Sequence, residues 1–517
     1  MGILGNAVPG AGGGAYTIDN SLRFRNSASA YLSRTPSVAG NRKIFTWSSW
    51  IKRGNLPSLT SYDIFSAAES GSSNPRTDWQ FDGNYRLNIA FNPSGSSWSE
   101  LITTQVFRDS SAWYHIVIAV DTTQATASNR VKLYVNGSQV TAFDSAGYPS
   151  QNVDLPINNT WAHSIGRYQA TAVQYFDGYM ANINFIDGQQ LTPSSFGETN
   201  ASTGVWQPKA YTGTYGTNGF YLKFSDIATT SGSNAGLGKD FSGNGNYWNT
   251  NNISVTSGVT YDAMTDSPTP KSATVGNFCT MNPVNTLQTD TLCVFSNANL
   301  LVSDAGSASQ NAGANGTIGV SSGKFYWEVT LGTNYSNGNN YTGIGISTSY
   351  MTGCSQTGII YKAYNGRVEG SMTLLTTVAT ATQNDVIGVA LDATAQTVAI
   401  YKNNSLLWSG SYSSYIPSGQ TFVYPSFFTA NQASGQGYFN FGQRPFTYTP
   451  PTGFKRLNTY NLPTPTIGAS STTLANKYFD ATLYTGTGLA QSITNAGSFQ
   501  PDFVWIKNRS RGSDHYK

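Results

Sequence analysis

The feature that most restricts how this chain can fold is a repeated alternation of apolar and polar residues. The segment at 115–137, HIVIAVDTTQATASNRVKLYVNG, alternates, breaks at a polar turn and alternates again. In its second half Val131, Leu133 and Val135 share one face, as the residues of a half-buried strand do. A shorter echo, DVIGVALDATAQTVAIYKNN, lies at 385–404. The two segments predict antiparallel β-hairpins in two separate parts of the chain.

Other short segments alternate in the same way, and the composition agrees with them. KIFTWSSWIKRG at 43–54, YRLNIAFN at 85–92 and GKFYWEVTL at 323–331 are strand-like and are bounded by turn-forming residues. Charged residues make up 11% of the chain, against about 25% in an ordinary soluble domain, and aromatic residues make up 13%. We therefore predict an all-β chain of tandem antiparallel β-sandwiches with almost no helix.

Strand-like and turn-rich stretches divide the chain into six predicted parts. New strand patterns begin after a Pro-rich stretch near the end, so we expect the natural protein to continue, or a further β-domain to have been cut away. The predicted boundaries are a Gly-rich attachment arm at 1–19, a sandwich at 20–225, a turn-rich connector at 226–285, a second sandwich at 286–447, a Pro-rich linker at 448–470 and the start of a third β-domain at 471–517.

Motifs in the two sandwiches resemble two known families. FTWSSWIKRG, WYHIVIAVD, RVKLYVNG and YFDGYMANINFIDGQQLTPSSF resemble the laminin-G-like, concanavalin-A-like family, whose fold is a jelly-roll sandwich. GKFYWEVTL, YTGIGIS, the 385–404 hairpin, YPSFF and FNFGQRPF resemble a SPRY domain, which is also a sandwich. The order of these pieces, followed by PDFVWIKNRS, resembles large structural proteins of tailed bacteriophages. The resemblance implies a virion protein of the tail-fibre or capsid-decoration type.

Charge and hydropathy exclude several classes of partner. The net charge is +3 and the basic residues are scattered, which predicts no nucleic-acid partner. No apolar run approaches the roughly 20 residues that cross a bilayer, so membrane insertion is not expected. The start of the chain lacks a secretory signal, although the composition is typical of extracellular proteins. A virion component, made in the host cytoplasm and exposed on the particle, would reconcile these facts, with other virion proteins as partners and a homo-oligomer as the expected assembly.

Candidate catalytic residues are few. Retaining and inverting glycoside hydrolases need two carboxylates about 5–10 Å apart, and in the glucanases of the concanavalin-A-like fold they alternate along one strand. None of the five Glu residues has an acidic neighbour two positions away, and Glu328 is expected to be structural. Asp121 and Asp392 end equivalent strands and are expected to cap turns. The three histidines suggest no Ser–His–Asp set, with His115 expected to be buried in a strand and His163 to lie in a loop. We predict no enzymatic activity.

Metal and cofactor sites are also weakly indicated. Cys279, Cys293 and Cys354 lack the spacing of metal ligands and are expected to be buried free thiols. Laminin-G-like domains often carry Ca²⁺, and DNS at 19, DGN at 82 and DFSGNGN at 240 offer oxygen ligands. Turn formation explains the same residues. No cofactor is therefore predicted, and Ca²⁺ stays open.

Binding residues are indicated by aromatic side chains in polar loops, which could stack on sugar rings beside amide and carboxylate groups. The alternative is that these aromatics cover sandwich edges or subunit contacts. The candidates are Trp98 and Tyr168 in the first sandwich, and Tyr335, Tyr341, Tyr361, Tyr364, Tyr412 and Tyr415 in the second. In the Gly-rich arm the sizeable apolar groups, too few to order the segment alone, are expected to attach the chain to a particle: Ile3, Leu4, Val8 and Tyr16.

The sequence thus predicts a non-enzymatic virion structural protein that uses its sandwiches for particle attachment and for binding host-surface glycans. A carbohydrate-active enzyme or a free secreted lectin is the alternative. Tail or capsid location, glycan identity and oligomeric state are left open by the sequence.

Overall fold

The computed structural model describes most of the chain, and almost all of what it describes is β-structure. The described residues are 16–56, 60–69, 75–95, 98–201, 203–228, 230–286, 293–304, 311–332, 336–337, 340–348, 357–430, 435–465, 472–474, 477–495, 497–507 and 515–516. Their helices are one short α-helix, α1 at Ala127–Arg130, and 3-10 turns at Asn26–Ala28, Pro193–Ser195, Gly236–Gly238, Ser413–Tyr415 and Thr459–Asn461. The predicted all-β fold class is confirmed.

The first sandwich contains two sheets of eight strands each. Its strands in chain order are β1 Ser21–Phe24, β2 Tyr31–Arg34, β3 Ile44–Arg53, β4 Tyr62–Ala68, β5 Arg76–Phe81, β6 Arg86–Asn92, β7 Ser99–Val106, β8 Trp113–Asp121, β9 Val131–Val135, β10 Ser138–Gln139, β11 Phe143–Ala146, β12 Ala162–Ile165, β13 Gly178–Asp187, β14 Gly197–Thr199, β15 Trp206–Pro208, β16 Phe220–Leu222, β17 Asn249–Asn251 and β18 Ala263–Met264. One sheet has the order β10-β9-β8-β3-β13-β1-β18, with β16 paired to β13. The other has the order β11-β7-β6-β5-β4-β12-β2-β17, and β14 and β15 form a separate hairpin.

Aromatic side chains fill the space between these two sheets. Trp47 on β3 lies 5.8 Å from Trp79 on β5 and 6.3 Å from Phe65 on β4, measured between ring centroids. All three side chains are at most 1% exposed. Alternation places Trp47 and Trp79 inward, and a register shift in β4 brings both Ile64 and Phe65 into the core. The outer face of the second sheet is therefore left to the intervening polar residues.

The second sandwich repeats the arrangement with two further sheets of eight strands. Its strands are β19 Met281–Thr286, β20 Cys293–Ser296, β21 Leu301–Asp304, β22 Asn311–Gly316, β23 Lys324–Leu331, β24 Ser336–Asn337, β25 Asn340–Ser347, β26 Gly358–Lys362, β27 Arg367–Gly370, β28 Thr373–Thr377, β29 Val386–Asp392, β30 Thr397–Lys402, β31 Ser405–Ser411, β32 Tyr424–Ala430, β33 Gln436–Asn440 and β34 Lys455–Arg456. One sheet has the order β19-β22-β32-β25-β26-β27-β28, with β24 beside β25. The other has the order β20-β21-β33-β23-β29-β30-β31, with β34 beside β23.

The turn-rich segment at 226–285 differs from the expected connector, because it supplies strands to both sandwiches. β17 pairs with β2 and β18 pairs with β1, whereas β19 pairs with β22. Asp262 anchors the segment to the first sandwich: its carboxylate is 3.0 Å from Arg23 Nε and 2.8 Å from Arg25 Nε. Short strands bounded by Gly and Ser carry too little alternation to be recognised as strands in the sequence.

The Pro-rich segment at 448–470 also differs from the expected linker over its first half. β34 pairs in parallel with β23, and Leu457 is fully buried in the core of the second sandwich. Pro450 and Pro451 precede this strand and Pro463 and Pro465 follow it, so none of them interrupts the pairing. The described residues beyond 471 form only the short pair β35 Ile506–Lys507 and β36 His515–Tyr516, with Phe479 and Trp505 exposed. The expected third β-domain stays a prediction.

Tyr16 and Ile18, at the end of the Gly-rich arm, pack against the chain itself. The Tyr16 hydroxyl donates to Asn182 Oδ1 at 2.8 Å and lies 2.5 Å from the Tyr221 hydroxyl, and Ile18 is 5% exposed. The Tyr16 hydroxyl is thus engaged by the first sandwich, and particle attachment through Tyr16 stays a prediction. Ile3, Leu4 and Val8 lie outside the described residues.

The two sandwiches share one continuous hydrophobic core at their junction. Trp50, Trp113 and Tyr179 of the first sandwich belong to the same buried cluster as Trp327 and Phe441 of the second. The Tyr179 hydroxyl donates to the carbonyl of Ala298 at 3.1 Å, across the junction. The sandwiches are therefore joined by a packed, hydrogen-bonded interface and not by a connector alone.

A fully buried lysine is the polar centre of this junction. Lys52 Nζ, on β3, donates to Asp266 Oδ2 at 2.9 Å, to Asn277 Oδ1 at 2.8 Å and to the carbonyl of Phe278 at 2.8 Å. Trp113 Nε1 donates to the other oxygen of Asp266 at 3.1 Å. All three protons of the ammonium group are thus used, which is the condition under which a buried charge is tolerated.

Replacing this lysine should destabilise the whole chain. Lys52→Met leaves the Asp266 carboxylate buried without a cation, so the free energy of unfolding should fall by about 3–5 kcal/mol in urea unfolding. The control Lys43→Met removes an exposed pair, in which Nζ is 3.9 Å from Asp154 Oδ1, and should change it by less than about 1 kcal/mol. Equal effects of the two variants would contradict a central role for Lys52.

Candidate functional site

Strands β5 and β6 place polar side chains on the outer face of the second sheet. On β5, Trp79 and Phe81 face the core, so Asp78 and Gln80 point outward. On β6, Leu87, Ile89 and Phe91 are fully buried on one face, and Asn88 and Ala90 take the other face. Alternation therefore aligns polar groups from neighbouring strands on one surface.

The strand register brings two carboxylates close to each other. Asp78 on β5 pairs with Ala90 on β6, and Ala90 pairs with Glu100 on β7. Neighbouring strands are about 4.8 Å apart, so the Cα atoms of Asp78 and Glu100 are roughly 10 Å apart. Ala90 has only a methyl group, which leaves open space between the two acidic side chains.

Two aromatic residues stand beside this row, and both were singled out from the sequence. Trp98, just before β7, is 49% exposed, and Tyr168 lies in a turn closed by its bridge to Val173. The guanidinium carbon of Arg76 is 4.1 Å from the centre of the Trp98 ring and 5.5 Å from that of Tyr168. Cation–π contact of this kind holds aromatic rings in fixed orientations. The sequence placed both residues in loops, and the structure brings them to one site.

Together these residues line one cleft with a volume of about 550 Å³. Its size lies within the range of small-molecule sites. It is lined by Arg76, Asp78, Gln80, Asn88, Ala90, Trp98, Glu100, Tyr168 and Gln174.

Several buried oxygens in the cleft have no hydrogen-bond partner within the chain: Asp78 Oδ1, Gln80 Oε1 and Asn88 Oδ1. Asp78 and Asn88 are only 7% and 8% exposed. The Arg76 Nε atom is 3.6 Å from Asp78 Oδ1, and the two groups form an ion pair. Buried polar atoms are almost always paired in folded proteins, so these oxygens are free to accept hydrogen bonds from a ligand or solvent.

Burial also alters the acidity of this surface. It raises the pKa of Asp78 to about 6, with Arg76 opposing the shift and Glu100 adding to it. Asp63 on β4 is fully buried, and both of its oxygens lack hydrogen-bond partners. Burial, and then the charge of Asp78, raise the pKa of Asp63 well above its ordinary value. Burial thus favours the neutral form of Asp63, whereas Asp78, with a pKa of about 6, is mostly ionised at pH 7.

The buried histidines do not provide a catalytic base. His115 Nδ1 accepts a hydrogen bond from Trp206 Nε1 at 3.0 Å, so the proton is on Nε2, which is 2.8 Å from Ser48 Oγ. A ring that donates to the hydroxyl cannot also remove its proton, and burial lowers the pKa of His115 to about 3. His163 lies in β12 and not in a loop as expected, because its ring is held by Asn158 and Trp161.

Acidic residues expected to be structural make structural contacts. Glu328 is 2% exposed and accepts hydrogen bonds from the backbone N–H groups of Thr447 and Tyr448, each at 2.8 Å. Asp121 and Asp392 accept from backbone N–H groups two and three residues later, as turn caps do.

Among the described residues no group of three or more His, Cys, Asp or Glu side chains could hold a metal ion. In the described part of the chain no helix has the length and apolar character to cross a membrane.

The tyrosines predicted to bind ligand in the second sandwich do not form a comparable site. The prediction is wrong for Tyr361 and Tyr412, which are 0% and 2% exposed and belong to the core. Tyr361 lies on the inward face of β26, and Tyr412 lies directly after β31, before the 3-10 helix. Tyr364 and Tyr415 are half-buried, in a turn and in a 3-10 helix. Tyr341 lies in β25 with its side chain outside the described part, and Tyr335 lies outside the described residues.

Comparisons with known families agree with the two sandwiches. Residues 25–195 match the concanavalin A-like lectin/glucanases superfamily (Laminin_G_3), and residues 324–444 match the SPRY domain. Residues 475–517 match a domain of unknown function (DUF7483). The chain therefore contains one region similar to laminin-G/concanavalin-A-like domains and one similar to SPRY domains.

Solved structures give more distant similarities. The SPRY domain of human HERC1 is 19% identical, with 33% of this chain and 99% of that chain covered and a TM-score of 0.27. A SAP-like pentraxin from Limulus polyphemus is 19% identical, with 34% and 78% covered and a TM-score of 0.26. Domains LG4-5 of the mouse laminin alpha1 chain are 10% identical, with 86% and 95% covered and a TM-score of 0.28. No curated protein matches the chain.

The pH dependence of stability should report the buried carboxyl group of Asp63. Because the folded chain holds this proton more tightly than the unfolded chain, the free energy of unfolding falls as pH rises above about 4, until the raised pKa is passed. Asp63→Asn should remove that slope. The variant should match the wild type near pH 4 and be more stable at pH 8 by about 1–3 kcal/mol.

The matched control is Asp121→Asn, for which the opposite sign is expected. Burial opposes the shift, but hydrogen bonds from Thr123 and Gln124 lower the pKa of Asp121, so its stabilisation is present at neutral pH and is lost on acidification. This variant should be less stable than the wild type at pH 8. A wild-type slope that survives in Asp63→Asn would contradict the assignment.

Proposed function

We propose that the chain is a non-enzymatic binding protein of a virus particle, and that the cleft binds glycans of a host surface. The observation that carries the glycan part is the pairing of exposed aromatic rings with buried, unpartnered oxygens in one cleft. A sugar ring has an apolar face that stacks on Trp or Tyr and hydroxyl groups that donate hydrogen bonds. Trp98 and Tyr168 supply the first kind of contact, and Asp78, Gln80 and Asn88 supply the second.

Removing either aromatic ring should weaken glycan binding. Trp98→Ala and Tyr168→Ala should each raise the dissociation constant by about fivefold to tenfold, because ring contacts contribute about 1–1.5 kcal/mol. A glycan array screened with the full chain identifies the ligand, and titration calorimetry measures each variant. The control is Tyr364→Ala, a half-buried tyrosine of the second sandwich. A loss of binding in the control but not in the cleft variants would move the site to the second sandwich.

A carbohydrate-active enzyme is the second candidate, and one observation favours it. Asp78 and Glu100 both line the cleft, and their roughly 10 Å separation between Cα atoms is compatible with the carboxylate pair of an inverting glycosidase. A pKa of about 6 for Asp78 would suit a general acid. Release of reducing ends from a polysaccharide, abolished by Asp78→Asn, would establish this alternative. Glycan binding without release would support the binding function.

The particle role rests on the order of the sequence motifs, which resembles structural proteins of tailed bacteriophages. Mass spectrometry of purified particles should find the chain at a fixed copy number.

If the Gly-rich arm is the attachment element, deleting residues 2–14 should leave both sandwiches folded and abolish incorporation of the chain into particles. A truncated chain that still co-purifies at normal copy number would assign attachment to the sandwiches, and absence of the full chain from particles would favour a free lectin.

A further inference from the structure

The chemistry of the cleft also restricts which glycan it can hold, and this inference rests on the proposed function. We propose that the preferred ligand is an amino sugar with a free, protonated amine, and not a neutral or acidic sugar. Two features of the cleft favour such a ligand: the kind of hydrogen-bonding atom that it leaves open, and the balance of charge among its lining residues.

Three buried oxygens of the described lining residues are open hydrogen-bond acceptors. Asp78 Oδ1, Gln80 Oε1 and Asn88 Oδ1 are buried without partners in the chain, and an ionised carboxylate can only accept hydrogen bonds. They lie on neighbouring strands, with Gln80 directly opposite Asn88. A ligand that fills the cleft must therefore bring several donors. An ammonium group brings three, whereas a carboxylate or sulfate group brings none.

Charge favours a cation for the same position. Among the described lining residues, Asp78 and Glu100 supply two carboxylates and Arg76 supplies one guanidinium group, which leaves one net negative charge. Arg76 is held by the rings of Trp98 and Tyr168, beside Asp78. Arg167 does not line the cleft, and its guanidinium group donates to Gln169 and Ser164. An acidic sugar would meet Asp78 and Glu100 without a spare cation to receive it.

Acetylation of the amine removes both its positive charge and all but one of its hydrogen-bond donors. An N-acetyl group has no charge, keeps a single N–H donor and adds a carbonyl acceptor that faces other acceptors. Ala90, between Asp78 and Glu100, leaves room for the small ammonium group to approach both carboxylates. Hydrogen bonds between charged groups are roughly twice as strong as neutral ones, so the free amine should bind at least about tenfold more tightly than its acetylated form.

The test compares three oligosaccharides of equal length with the full chain: the tetramer of glucosamine, the tetramer of N-acetylglucosamine and a tetragalacturonate. Each oligosaccharide is titrated at pH 7 in about 0.15 M salt, because salt at this concentration screens weak, non-specific attraction between exposed charges. We expect the glucosamine tetramer to bind at least about tenfold more tightly than the acetylated tetramer, and the tetragalacturonate not to bind.

Three variants separate a site from general charge attraction. Asp78→Asn and Glu100→Gln keep the shape of the side chains and should each reduce the preference for the free amine to less than threefold. Glu198→Gln removes an exposed carboxylate of the β14–β15 hairpin and should leave the preference intact. An equal loss in Glu198→Gln would show non-specific attraction and overturn the inference.

The outcomes also distinguish this inference from the proposed function. If the neutral tetramer binds as tightly as the amine, and Trp98→Ala weakens both, the amine preference is wrong and the glycan cleft stands. If no oligosaccharide in the array or in the titrations binds, both are wrong.

Discussion

The architecture depends on a lysine side chain that has been taken out of water. Lys52 carries its charge into the junction of the two sandwiches, where Asp266, Asn277 and the carbonyl of Phe278 replace its hydration. The surrounding aromatic side chains belong to both sandwiches and form one core. Desolvating an ammonium group costs several kcal/mol, so the junction is stable only when all three of its hydrogen bonds are made. This requirement fixes one relative position of the sandwiches.

The alternation of apolar and polar residues predicted the sheets, because alternate side chains of a half-buried strand face the core and the solvent. The hairpin at 115–137 and its echo at 385–404 are β8–β9 and β29–β30, and both pair as antiparallel neighbours. The segment at 226–285 was harder to predict. Its strands are two to six residues long, and they are held by partners such as Arg23 and Arg25, more than 200 residues away along the chain. The sequence around these strands does not indicate partners that are so distant along the chain.

The candidate site shows the same division between local and long-range information. Aromatic residues in polar loops predicted Trp98 and Tyr168, but the same criterion also selected Tyr361 and Tyr412, which are buried. The acidic pair was not predicted, because the expected carboxylates alternate along a single strand. Asp78 and Glu100 instead lie two strands apart, on either side of Ala90. Strand register, which sequence alone does not determine here, decides which side chains meet.

Ala90 gives the cleft a property that its polar residues do not. Its methyl group occupies the position between the two acidic side chains, so the depth of the cleft at that point is set by one residue with no role in hydrogen bonding. A larger apolar residue there would shorten the ligands that fit while leaving every charged and polar group in place. Because the same methyl group leaves room for an ammonium group between Asp78 and Glu100, one substitution at Ala90 would change both the size and the charge of the ligands that fit.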